Sequence, residues 1–198
     1  MTDVLLLLIT SQNANKDHPM PVSYGEDRIR QYVDGLSILF EYDFDDKVDI
    51  LLCDNTTDQI DQRLADCLPV NTKFNTYNNN TGASSKSIGL FDQWKSCENT
   101  IKQYEWVIHF EPRQLLTKYS FFDSFFLDKK NLFNIRANHF WTGLFSIDTN
   151  SMMKYLSGSH PPASIEYHLF DFMKNIPHKH EEINVLWNDA AKKTWIEI

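Results

Sequence analysis

The succession of apolar and polar positions divides the chain into strands and helices before any motif is considered. Asp3–Thr10 (DVLLLLIT) is a continuous apolar run, the pattern of a strand covered on both faces. Polar residues from Ser11 to Tyr24, with Pro19 and Pro21 among them, predict a loop at the carboxyl end of that strand. Over Asp27–Tyr42, Ile29, Tyr32, Val33, Leu36, Leu39 and Phe40 fall on one helical stripe. Val48–Cys53 predicts a second strand that stops in Asp54-Asn55-Thr56-Thr57, and a short helix with Ile60, Leu64 and Leu68 follows. Lys73–Tyr77 predicts a third strand, leading into the Asn-rich loop Asn78-Asn79-Asn80. Ile88, Phe91, Trp94 and Cys97 recur every three residues, with Ile101 four further on, which predicts a helix. The apolar run Trp106–Phe110 then reads as a buried strand, and it ends abruptly in Glu111-Pro112-Arg113.

Beyond Arg113 the pattern changes. Gln114–Leu127 is rich in aromatics and predicts helix over at least part of its length. Asn134–Ile147 predicts one or two strands around a turn at Thr142-Gly143. Asn150–Leu156 and Ser164–Lys174 predict helices divided by the breaker Gly158-Ser159-His160-Pro161-Pro162. The tail Pro177–Ile198 reads as a packed arm. Strands alternating with helices imply an α/β chain with a mostly parallel central sheet flanked by helices. With 198 residues and no linker, the expectation is one domain.

Composition narrows the function classes. A formal net charge of -8 and a pI near 5.3 argue against a general nucleic-acid binder, although a small anion can still be met by a few placed cations. The cysteines are Cys53, Cys67 and Cys97, an odd number without CxxC spacing, so a reducing compartment is expected. The apolar run Val4–Ile9 is too short for a membrane span or a signal-peptide core, so no transmembrane segment and a soluble, cytoplasmic chain are expected. No GxSxG, HExxH, GxGxxG or GxxxxGK[ST] pattern is present.

The order of an Asn80-Thr81-Gly82 loop, a helix, a buried strand and the triplet His109-Phe110-Glu111 resembles the nucleotide-sugar-binding half of GT-A-type glycosyltransferases. In that family an acidic motif, usually Asp-x-Asp, follows such a strand and holds a divalent metal. Here the last position keeps its carboxylate and the first is a histidine. The resemblance implies a GT-A-like single domain, with residues 1–116 forming a Rossmann-like nucleotide-binding half and 117–198 an acceptor-side half. It is similar, within the family, to a small viral domain that builds capsid glycans, which would place it in a host cytoplasm.

The activity implied is transfer of a sugar from a nucleoside-diphosphate sugar, a UDP-sugar above all, to a glycan hydroxyl, with Mn²⁺ or Mg²⁺ as cofactor. Glu111 is the implied metal ligand and His109 a supporting one; strand alternation puts both on one face, without requiring both to reach one ion. Thr10, Ser11 and Asp54 end strands where related enzymes hold base and ribose, and Asn80 and Gly82 are candidates for ribose or phosphate. Arg113 and Lys86 would stabilise the leaving diphosphate. Trp141, Thr142 and Gly143 match the segment that shapes the sugar pocket. Glu166, with Asp171 in reserve, is the candidate base for the acceptor hydroxyl.

Each residue also has a structural reading: Asp54 as a helix cap or Asx turn, His109 as a core histidine, Glu111 and Arg113 as an ordinary ion pair. The alternative function is a non-catalytic carbohydrate- or nucleotide-binding α/β domain. A nucleotidyltransferase is disfavoured because Ser11–Tyr24 has no glycine and one lysine.

Overall fold

In β1 (Val4–Thr10) every residue is buried, and successive side chains point to opposite faces. Val4, Leu6 and Leu8 enter one apolar cluster, while Leu5, Leu7 and Ile9 enter a second. Both faces of the sheet are therefore covered, as the unbroken apolar run requires. The computed structural model describes residues 2–14, 24–44, 46–161, 164–189 and 194–197.

Helix α1 (Gly25–Leu39) follows, then β2 (Asp49–Asp54), β3 (Thr56–Thr57), α2 (Gln62–Asp66) and β4 (Lys73–Asn78). A single 3₁₀ turn at Thr81–Ala83 leads into α3 (Lys86–Ser96) and the short α4 (Glu98–Ile101), and then β5 (Trp106–Phe110). Ser85 caps α3, its hydroxyl accepting from the Ile88 amide. The predicted single helix through Ile101 is in fact broken at Cys97, which ends α3.

The rest of the chain comprises β6 (Gln114–Leu116), α5 (Ser120–Leu127), β7 (Leu132–Arg136), β8 (His139–Asp148), α6 (Thr149–Leu156) and α7 (Ile165–Met173). Three short strands close it: β9 (Lys179–His180), β10 (Val185–Asp189) and β11 (Thr194–Glu197). Eight strands form the main sheet in the order β3-β4-β2-β1-β5-β8-β7-β9, and β11-β10-β6 form a second sheet. Strands β4, β2, β1 and β5 are mutually parallel, whereas β8 runs antiparallel to both β5 and β7. The expected α/β architecture, a mostly parallel central sheet flanked by helices, is present. Helices α1 and α5 cover one face; α3, α6 and α7 cover the other.

One local expectation is corrected and two are made more definite. The turn predicted at Thr142-Gly143 lies instead between Arg136 and His139, where Ala137 takes a left-handed conformation (φ 50°). Thr142 and Gly143 are in the middle of β8, and the glycine serves close packing: a Cβ there would come within 1.8 Å of the Gln114 side-chain amide. The helix expected over part of Gln114–Leu127 is α5, with Gln114–Leu116 a strand before it, and the packed arm expected over Pro177–Ile198 contributes strands, β10 pairing with β6. Much of the loop predicted over Ser11–Tyr24, namely residues 15–23, lies outside the described residues.

Candidate active site

The central strand β1 has β2 on one side and β5 on the other, so the chain leaves β1 in one direction and returns on the opposite side. Such a switch point opens a crevice outside the carboxyl ends of the strands. A cavity of about 290 Å³ lies there. It collects most of the predicted residues: Ser11 after β1, Asn80 and Gly82 from the 3₁₀ turn, Lys86 from α3, and His109, Glu111 and Arg113 from β5 and its exit. Trp141, Thr142 and Gly143 from β8 and Glu166 from α7 complete the set.

Thr10 and Asp54 do not line the cavity. Both are fully buried, and the Asp54 carboxylate accepts five hydrogen bonds from neutral donors. Oδ2 takes the Thr10 hydroxyl (2.8 Å), the Gln12 amide (2.8 Å) and the Gln12 side chain (3.2 Å). Oδ1 takes the Thr56 amide (2.8 Å) and hydroxyl (2.6 Å). Asp54 thus ties the chain after β1 to the chain after β2 and sets the floor under Ser11. The Thr56 hydroxyl accepts in turn from the Asn13 amide at 3.0 Å, extending the tie.

Close backbone packing fixes the remaining walls. A Cβ on Gly89 would come within 2.5 Å of Gly82 Cα, so the 3₁₀ turn lies directly against the first turns of α3. On the opposite face, a Cβ on Gly35 would come within 1.8 Å of the Pro112 carbonyl oxygen, which presses α1 onto the exit of β5. Arg28 and Tyr32, seven and three residues before Gly35, stand on that same helical face beneath Arg113.

The result is a cationic pocket in an acidic protein. Arg28, Lys86 and Arg113 line the cavity against the carboxylates of Glu111 and Glu166. The Arg113 guanidinium donates through Nε to Glu111 Oε1 at 2.8 Å and also through Nη2 to the same oxygen. The Tyr32 hydroxyl accepts from the Ser11 amide at 2.8 Å, Arg28 donates to the Ser11 carbonyl, and the Arg28 guanidinium lies 5.6 Å from the Tyr32 ring centre. Burial pushes the Glu111 carboxyl up, yet Arg113, Arg28 and Lys86 together outweigh it and hold the group below its ordinary value. Burial, with Arg113 nearby, lowers the Lys86 ammonium. Among the described residues no carboxylate is ion-paired with Lys86.

A divalent metal at Glu111 and His109 does not fit this arrangement. His109 is 1% exposed, stacks on Phe145 (4.7 Å, 21°), and its Nδ1 accepts from the Trp94 indole at 3.1 Å. Burial lowers its pKa to about 3, although Glu111 and the Thr142 backbone act in the opposite sense, so the ring is a neutral core group. Glu111 already has a guanidinium partner, and among the described residues no group of three His, Cys, Asp or Glu side chains could hold a metal ion.

The opposite wall is aromatic. Trp141 meets Trp187 edge to face (5.9 Å, 84°), donates its indole N–H to Gln114 Oε1 at 3.1 Å, and carries the Arg136 guanidinium 5.1 Å from its ring centre. Glu166, in the first turn of α7, accepts from the Ser164 hydroxyl. The α7 start is bound to α3 by the Ile165 amide, which donates to Ser87 Oγ at 3.0 Å. Asp171 is instead exposed and paired with Lys174.

Sequence reasoning missed Arg28, Tyr32 as a site residue, Gln93 and Trp187. Arg28 did leave a signal: it stands four residues before Tyr32 on the buried stripe of α1, where an arginine needs a reason. Gln93, whose amide donates to the Thr10 carbonyl at 2.6 Å, lies on α3 without any pattern to mark it.

No family model matches the sequence, and no curated protein matches it. Solved structures do. The chain superposes on a candidate nucleotide-diphospho-sugar transferase from Desulfovibrio desulfuricans G20 with a TM-score of 0.57 at 10% identity, covering 92% of this chain and 83% of the other. It also superposes on a 4-diphosphocytidyl-2C-methyl-D-erythritol synthase with a TM-score of 0.54 at 8% identity, covering 99% and 93%. At such low identity the likeness is one of fold: the chain has the α/β architecture that these nucleotide-handling proteins share.

Proposed function

We propose that the chain is a glycosyltransferase that takes its sugar from a nucleoside-diphosphate donor, a UDP-sugar in the first instance, and delivers it to a hydroxyl of a glycan. The observation that carries this reading is one cavity at the strand switch point with cations on one wall and tryptophans beside a carboxylate on the other. The cations suit a diphosphate, and aromatic faces suit the C–H surface of a sugar. The fold shared with a candidate nucleotide-diphospho-sugar transferase supports it.

In this scheme the acceptor hydroxyl oxygen attacks the anomeric carbon and the bond from that carbon to the diphosphate breaks. The proton passes to Glu166, and the electron pair leaves with the diphosphate, whose growing charge Arg113 and Lys86 stabilise. Tyr32 and Glu111 orient Arg113, and Trp141 with Trp187 excludes water from the acceptor side.

The test is UDP release from a panel of UDP-sugars with oligosaccharide acceptors, in the wild type and in Glu166→Gln. Loss of turnover by about 10²-fold or more with UDP binding retained supports the base. UDP binding without turnover on any acceptor favours a binding domain. Nucleotidyl transfer, the second reading, draws on the fold shared with the diphosphocytidyl-methylerythritol synthase. It predicts pyrophosphate release from a nucleoside triphosphate and none of UDP.

A further inference from the structure

We infer that Arg113 and Lys86, reinforced by Arg28, hold the diphosphate in place of a divalent cation, and that Glu111 positions Arg113 instead of ligating metal. The inference rests on the donor reading above. Three observations support it independently of that reading.

The first is the geometry of the ion pair. Arg113 donates two N–H groups to a single oxygen, Glu111 Oε1. That contact locks the guanidinium in place while three of its five N–H donors stay available to others. An arginine aimed by a carboxylate and bordered by the Tyr32 hydroxyl is pre-organised for phosphate, because its fork matches two phosphate oxygens at once.

The second is Lys86. It opens α3, faces the same cavity, and among the described residues has no carboxylate partner. Lys86 and Ser87, the first two residues of α3, both line the cavity, so the positive end of the helix and the ammonium face the same space. A phosphate between Arg113 and Lys86 would give Lys86 the anionic partner it lacks among the described residues and would take up N–H donors of Arg113 that Glu111 leaves open.

The third is the cost to a metal. A divalent ion bound to Glu111 would enter a pocket where a guanidinium already occupies that carboxylate and two further cations line the wall. Among the described residues no group of three His, Cys, Asp or Glu side chains could hold the ion there, so little offsets the repulsion it would meet from Arg113 and Lys86.

The experiment is calorimetric titration of UDP, GDP and inorganic pyrophosphate into the full chain, with EDTA or with Mn²⁺, in the wild type, Glu111→Gln and Lys86→Gln. UDP affinity in EDTA should match that in Mn²⁺ within about twofold. Lys86→Gln should weaken pyrophosphate and UDP about tenfold, the equivalent of one charge-assisted contact. Glu111→Gln keeps an oxygen at Oε1 that can accept from Arg113 and so hold it in position while losing the charge, so pyrophosphate affinity should stay undiminished in EDTA and in Mn²⁺ alike; a metal ligand would lose the binding gained with Mn²⁺. Should Glu111→Gln fail to fold, the EDTA comparison on the wild type decides alone. UDP binding that vanishes in EDTA overturns the inference and leaves the donor reading intact. Pyrophosphate bound in EDTA, with neither UDP nor GDP bound, supports the cationic site and overturns the nucleotide reading. Absence of binding by all three overturns both.

Discussion

Strands β2 and β5 are neighbours of β1 on either side, and each hands the chain to a carboxylate, Asp54 at the end of one and Glu111 just past the other. The two acids have opposite fates. Asp54 is surrounded by neutral donors on the β1 and β2 exits, which fill both its oxygens and close it off from the cavity. Glu111 meets one guanidinium, keeps partial exposure, and stands where more cations converge. An acid at a strand end is thus a brace when the neighbouring loops supply N–H and O–H groups, and part of a site when they supply charge. The strand end alone does not decide between them.

The largest expected effect breaks the brace. Asp54→Ala leaves the Thr10, Gln12 and Thr56 donors without an acceptor in a dry environment, and we expect a loss of about 4 kcal/mol in unfolding free energy, read from denaturant midpoints. Glu111→Gln, by contrast, should cost far less, and equal losses for the two would erase the distinction.

Next comes the exit of β5. Gly35→Ala forces a methyl group against the Pro112 carbonyl, so α1 or the Glu111–Arg113 segment must shift. A destabilisation of about 2–3 kcal/mol is expected, together with weaker UDP binding, since Arg28 and Tyr32 move with the helix. Unchanged UDP affinity would show that α1 does not support the pocket.

His109, two residues before Glu111, supplies a pH signature. Its folded pKa is depressed from 6.5 to about 3, so below pH 6.5 the unfolded chain takes up a proton that the folded chain refuses. Stability conferred by the neutral ring is therefore full above pH 6.5 and is lost as the pH falls toward 3. The slope approaches about 1.4 kcal/mol per pH unit, or about 2 kcal/mol between pH 7 and pH 5. His109→Leu should remove that part of the slope; identical pH profiles for variant and wild type would contradict the buried, neutral assignment. Glu111 contributes in a lower window, below its ordinary value near 4.5, where protonation ends its pairing with Arg113.

The smallest effect is at the edge of the brace. Thr56→Val removes one hydroxyl that donates to Asp54 and accepts from Asn13, and should cost about 1 kcal/mol without altering UDP affinity.

Much of this was legible in the sequence, for identifiable reasons. Strands β1 and β5 are covered on both faces, so their apolar runs announced them, and β5 was bounded to the residue. The ends of those strands then located the cavity, which holds Ser11, Lys86, Glu111, Arg113 and Glu166 together. What sequence could not separate was hydrogen-bond supply from charge. Asp54 and His109 read as site residues because their partners, Gln12 and Thr56 for one and Trp94 for the other, are set by tertiary packing. Gly143 read as a turn because glycine serves turns and tight packing alike, and here it makes room for Gln114. The tail strands escaped because β9 and β10 are short and pair with β7 and β6, far away in sequence.

The central claim is that the carboxyl ends of β1 and β5 hold a nucleoside diphosphate without metal, and amide hydrogen exchange on the intact chain tests it most directly. With UDP in EDTA, slowed exchange should concentrate in 80–90, spanning the 3₁₀ turn and the start of α3, and in 109–115 at the β5 exit. No slowing in either segment, or slowing confined to the opposite end of the sheet near Asp3 and Asp49, would contradict the account.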